Sequence, residues 1–169
     1  MLQSQLESAR CNTKGKPPSK GVRIRDYALV DAVGNPIELS SFRGRQNLVL
    51  VFAGARETGE AAVNRLSSFE QEFAGADAMV IVIVADEPAW VTGLPHVLAA
   101  TDVAAIAHKE IGGPDAAVKF VQGCYITDRF GEVYAALHEI PPVTEMLRWL
   151  DYINNECPEC EPSEWPPME

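Results

Sequence analysis

Residues 47–63, Asn47-Leu-Val-Leu-Val-Phe-Ala-Gly-Ala-Arg-Glu-Thr-Gly-Glu-Ala-Ala-Val63, join an apolar run to a helical pattern. The run NLVLVFA (47–53) is nearly continuous in apolar residues, as expected of a strand covered on both sheet faces. From Glu57 to Phe73, the residues Ala61, Ala62, Leu66, Phe69 and Phe73 recur at helical spacing, and the pattern ends near Gly75. A chain that turns from a buried strand into a helix usually presents its chemistry at the turn. Here the turn carries two glutamates, an arginine and a threonine, and no sulfur.

Outward from this corner, strand and helix patterns alternate. MVIVIVA (79–85) reads as a second buried strand and PHVLA (95–99) as a short one. Asp102 to Ile111 reads as a helix stopped by Gly112-Gly113. CYITDRFGEVYAAL (124–137) is a hairpin around Asp128-Arg-Phe-Gly131, with Gly131 suited to a positive φ and Asp128 and Arg129 as turn residues. Pro142 to Asn155 is an amphipathic helix with Val143, Met146, Leu147, Leu150 and Ile153 on one face. Upstream, YALVDAVGNPIELSSF (27–42) gives two short extended pieces around Gly34-Asn35-Pro36. The order predicts an α/β layer fold with a mixed central sheet flanked by helices. Residues 1–24 read as an extension and Pro-rich linker, 25–155 as the domain, and 156–169 as an acidic tail.

With 169 residues, 47% of them hydrophobic, the chain can bury a full core without staples. A net charge of -10 argues against nucleic acid as a bulk partner, which needs a basic face. The charge is unevenly placed: Lys14, Lys16, Lys20, Arg23 and Arg25 lie near the start, and Glu156, Glu159, Glu161, Glu164 and Glu169 at the end. No apolar run reaches the length of a membrane span, and residues 1–15 lack the pattern of a secretory signal. The expected compartment is the cytoplasm, where a cysteine pair points to redox work or metal rather than to bracing.

From about Asp26 to Tyr152 the chain resembles the thioredoxin-fold redoxins, especially the alkyl hydroperoxide reductase/thiol-specific antioxidant (peroxiredoxin) family. The matching pieces are LVDAVGNPIELSSFRGRQNLVLVFA, VIVIVADEPAW, LPHVLAATDVAAIAHKEIGG and YITDRFGEVYAAL, in that order. The resemblance implies a thioredoxin-like fold and, by family, an antioxidant thiol oxidoreductase. It also implies an altered reaction centre. Where thioredoxin-type members carry Cys-x-x-Cys after the strand, this chain has Glu57-Thr58-Gly59-Glu60. In the peroxiredoxin frame Pro-x-x-x-Thr-x-x-Cys, started at Gly54, Thr58 falls on the threonine and Ala61 on the peroxidatic cysteine. Gln122 takes the place of the family arginine and Gly123 that of the thioredoxin cis-proline.

At a helix N-terminus, amides and the dipole stabilise a carboxylate as they would a thiolate, so Glu57 and Glu60 read as first-turn residues. His96, His108 and His138 show no ligand spacing. Cys124 follows the cis-proline position, and two readings stand: a displaced nucleophile beside the corner, or a small core residue. Cys157-Pro-Glu-Cys160 leaves three readings: a redox dithiol, half of a zinc or iron clip completed by Cys11, Cys124 or a second copy, or a plain tail. The surrounding glutamates and the preceding helix C-terminus disfavour a low thiol pKa there. Trp90 and Trp149 read as packed, and Trp165 as an exposed docking element.

Two functions follow. One is a redoxin with a degenerate corner, any thiol–disulfide exchange being carried by Cys157 and Cys160 toward a protein disulfide or thioredoxin-type partner. The other is a non-catalytic binding protein, homodimeric in one variant, that uses the old active-site groove.

Overall fold

A computed structural model describes residues 21–85, 94–112 and 122–155. Its strands are β1 (Leu29–Val30), β2 (Pro36–Ile37), β3 (Asn47–Gly54), β4 (Ala78–Ala85), β5 (Val97–Asp102), β6 (Gly123–Thr127) and β7 (Val133–Leu137). Its helices are α1 (Arg56–Ser67), α2 (Glu70–Gly75), α3 (Ile106–Gly112) and α4 (Val143–Asn155). They build one sheet in the order β2-β1-β5-β4-β3-β6-β7. The central pairs β3–β4 and β4–β5 are parallel, and the flanking pairs are antiparallel.

Alternation along β3 explains why the run is apolar throughout. Val49, Val51 and Ala53 face a layer built from α1, α2 and α4, where Ala62, Val63, Leu66, Phe73, Met146 and Leu150 are buried. Leu48, Leu50 and Phe52 face the other side, with Ala107 of α3 and the N-terminal residues Ile24, Tyr27, Leu29 and Leu39. Both faces are therefore dry, as a strand with no polar alternation requires.

The helix read from Glu57 to Phe73 is two helices in the structure. Phe69 departs from helical geometry (φ -114, ψ 17), and its amide closes a tight turn on the Leu66 carbonyl. Ser67 and Ser68, weak helix formers, sit at the break. The bend brings both Phe69 and Phe73 onto the sheet. The short strand read at 95–99 runs instead over Val97–Asp102, because β1 supplies antiparallel partners to Thr101 and Asp102. The helix read from Asp102 begins only at Ile106, after a 3-10 piece in which Ala104 and Ala105 hold positive φ of 56 and 54.

Val22 and Ile24, assigned by sequence to the extension, are buried along the β6–β7 hairpin; Gly21 donates to the Val133 carbonyl and Ile24 to that of Gly131. The hairpin follows the expected chemistry. Asp128 accepts from the Phe130 and Glu132 amides, and Gly131 has φ 83. At the far end of α4, the Asn154 side chain accepts from Asn47 at 2.8 Å and donates to the Ala76 carbonyl at 2.9 Å. Trp149 is half-buried and meets Tyr152 edge-on at 6.1 Å. No helix among the described residues is long and apolar enough to cross a membrane.

Candidate functional site

The corner is set by how β3 ends. Its pairing with β4 slips between Phe52 and Gly54, and Gly54 takes φ 72, a conformation that favours glycine. The slip turns the Gly54 amide out of the sheet ladder, where it donates to His108 Nε2 at 3.0 Å. Because Nε2 accepts, the ring proton sits on Nδ1, and Nδ1 donates to Asp102 Oδ2 at 2.8 Å. His108 is therefore a neutral imidazole of fixed tautomer. Asp102 also accepts the Ala107 and His108 amides, at 3.1 and 2.8 Å, and so caps the first turn of α3. His108 is 2% exposed and Asp102 is fully buried, and Phe52 lies edge-on to the imidazole at 5.3 Å.

This buried triad of carboxylate, imidazole and amide is the part of the site that sequence reasoning missed. His108 stood in the sequence as a lone histidine without ligand spacing. The available signal was Asp102 closing an otherwise apolar strand six residues before a histidine, which becomes meaningful only once the β3 bulge supplies an amide.

Above the triad, α1 starts at Arg56 with Ala55 as an N-cap that offers no side-chain bond. Glu57 is in the first turn and exposed; Glu60 is taken by Arg56 in an i,i+4 ion pair of 2.8 Å. Ala61 is the sixth residue of the helix, past the four amides that lack an intrahelical acceptor. The position that the family resemblance aligns with the peroxidatic cysteine is thus one turn in from the helix mouth.

Thr58, Ala61, Ala62 and Arg65, at spacing i, i+3, i+4 and i+7, form one stripe of α1. With Gln122 ahead of β6, and Glu139 and Ile140 between β7 and α4, they line a cavity of about 380 Å³. Three positions picked out from the sequence, Thr58, Ala61 and Gln122, therefore meet in one groove. Glu57 and Glu60 are not among its lining residues. Gly123 lies within β6, buried, opposite Phe52.

Cys124 pairs with Val51 and is 0% exposed, enclosed in the layer formed by α1 and α4. Burial pushes its thiol well above the ordinary range, and the Glu145 carboxylate on α4 adds to the rise. The thiol is a packed, protonated group. Cys11, Cys157, Cys160, Trp90 and Trp165 lie outside the described residues. Among the described residues, no group of three or more His, Cys, Asp or Glu side chains is placed to hold a metal ion.

Comparison of the coordinates with solved structures decides the fold. Peroxidoxin BcpB from Mycobacterium tuberculosis superposes with a TM-score of 0.62 at 18% identity, over 80% of this chain and 98% of that one. The chain has a thioredoxin-like fold. A peroxiredoxin-like protein from Aquifex aeolicus matches at TM-score 0.59 and 16% identity, over 83% of this chain and 90% of that one. A putative protein disulfide isomerase from Bacteroides thetaiotaomicron matches at TM-score 0.63 and 18% identity, over 84% and 94% of the two chains. No protein-family model matches the sequence, and no curated protein is significantly similar to it.

Proposed function

We propose that this chain is a peroxiredoxin-like redoxin with a degenerate strand–helix corner, and that the groove along α1 is used for binding rather than for thiol chemistry. One observation carries the reading. Thr58, Ala61 and Gln122 line a common cavity with no thiol among its described lining residues, while Cys124, the one cysteine among the described residues, is sealed in the core with its proton held. Peroxide reduction needs a thiolate within reach of the oxidant. The groove offers a hydroxyl, an amide, a guanidinium and a carboxylate instead.

The test is peroxide consumption with a thioredoxin-type electron donor. The expected result is no turnover attributable to the groove. Robust turnover by the Cys157→Ser/Cys160→Ser double variant would overturn this reading.

A second reading concerns the tail, and the position of α4 favours treating it separately. Asn154 is tied to Asn47, at the start of β3, whereas the groove sits at the other end of that strand. Thiol–disulfide exchange by Cys157 and Cys160 would need none of the groove's side chains. One thiolate would attack a partner protein's disulfide sulfur and release the other sulfur as a thiol; the second cysteine would then displace the partner and close the intrachain disulfide. A redox titration, together with elemental analysis for zinc or iron, separates dithiol, metal clip and plain tail. Sedimentation at micromolar concentration tests the homodimer.

A further inference from the structure

The groove's two charged residues, Arg65 and Glu139, have no ion-pair partner among the described residues. Arg56, at the start of α1, has Glu60 one turn on. Arg65 has Ala61 and Ala62 one turn before it and Ser68 and Phe69 one turn after, so the helix offers it no acid. Glu139 sits between His138 and Ile140-Pro141-Pro142, where no cation follows. Neither residue has an ion-pair or hydrogen-bond partner among the described residues. They line the same cavity from different elements, yet they are not within ion-pairing distance of each other. In a protein of net charge -10, an arginine with no partner among the described residues is available to an anion, and the facing carboxylate makes a simple anion a poor occupant.

Between the charges the lining is small and mixed. Ala61, Ala62 and Ile140 give an apolar floor, and the Thr58 hydroxyl and Gln122 amide donate and accept. The volume, about 380 Å³, is near the lower end of ligand pockets. A lone cation is opposed by Arg65 and a lone anion by Glu139. A molecule that carries both charges a few bonds apart satisfies each, and it presents peptide-like polar groups to Thr58 and Gln122.

We propose that the groove binds a small zwitterion of the amino-acid or dipeptide class, with its carboxylate on Arg65 and its ammonium on Glu139. This rests on the reading of the groove as a binding site. Arg65 offers a carboxylate the two-pronged guanidinium geometry, which a lysine in its place would not. Thr58 and Gln122 set the register of the ligand between the two ends.

The experiment is a calorimetric titration of the full chain with a dipeptide panel of varied side chains and free termini. Each dipeptide is matched by its N-acetyl and C-terminal amide forms. Saturable binding of at least one free dipeptide is expected, weakened about tenfold or more by blocking either end. Arg65→Gln should weaken the free dipeptide and remove the penalty for amidation, and Glu139→Gln should do the same for acetylation. Both residues are exposed, so both variants should keep the parent's circular dichroism. If no free dipeptide binds, or capped and free forms bind alike, the inference is wrong. Peroxide assays on the same samples separate the two claims: turnover from the groove removes the binding reading itself, whereas absence of both turnover and dipeptide binding removes only the zwitterion.

Discussion

His108 Nε2 accepts the Gly54 amide proton at 3.0 Å, and this bond ties the start of α3 to the corner from which α1 departs. The same imidazole donates its Nδ1–H to Asp102, so the ends of β3 and β5 and the first turn of α3 share one buried polar cluster. No buried side-chain nitrogen or oxygen among the described residues lacks a partner, and removing the ring would break that completeness.

His108→Ala is therefore expected to destabilise the fold by about 2–4 kcal/mol, combining a cavity with an orphaned amide and carboxylate. Urea unfolding measures the loss, and faster hydrogen exchange at the Gly54 amide localises it. A loss under about 1 kcal/mol with unchanged exchange would contradict the assigned role.

The Cys124 thiol should resist modification in the native protein. With every other cysteine replaced by serine, a thiol reagent at pH 8 is expected to label it only as fast as the chain unfolds. Rapid labelling of the folded protein would place this sulfur nearer the surface than its complete burial allows.

Position along α1 should govern the acidity of an introduced thiol. In a cysteine-free background, Glu57→Cys falls among the free amides of the first turn and should titrate below about 8.5, whereas Ala61→Cys should stay near that value. The pH dependence of alkylation rate reads both. An acidic thiol at position 61 would contradict the proposal that this part of α1 does not support thiol chemistry.

Alkali should weaken the fold through Tyr27. Burial, and next the Glu110 carboxylate, push this phenol up to about 12 from its ordinary 10, while Arg25, stacked over the ring at 4.9 Å, partly offsets the rise. A raised pKa means the folded state holds its proton longer than the unfolded chain. The associated stability is present below pH 10 and is lost as pH climbs toward 12, an effect on the order of 2 kcal/mol. Tyr27→Phe should flatten that part of the unfolding profile. An unchanged slope would remove Tyr27 as its source.

Much of the sheet was readable in advance because its signals are local. The run at 47–53 could only be a strand dry on both faces, and Asp128 to Gly131 carried turn chemistry in four residues. The features that escaped depend on partners far away in the chain. The length of β5 is set by β1, and the break after Ser67 shows only when Phe69 has a sheet to pack on. The Asp102–His108–Gly54 cluster exists because a bulge frees one amide. In the groove, Thr58, Ala61 and Gln122 were picked out through resemblance to a family, but Arg65 and Glu139 were not. Their place in the proposal rests on having no ion-pair partner among the described residues, and that is visible only when the neighbours are in place.

The side-chain bridge from Asn154 to Asn47 anchors the last turn of α4 about 23 Å from Gly54, counting seven strand steps along β3. Whatever continues beyond residue 155 starts from the pole of the molecule remote from the groove. On the proposed reading, a small molecule in the groove and a protein met through that pole would occupy separate ends of β3 and would not compete for one surface.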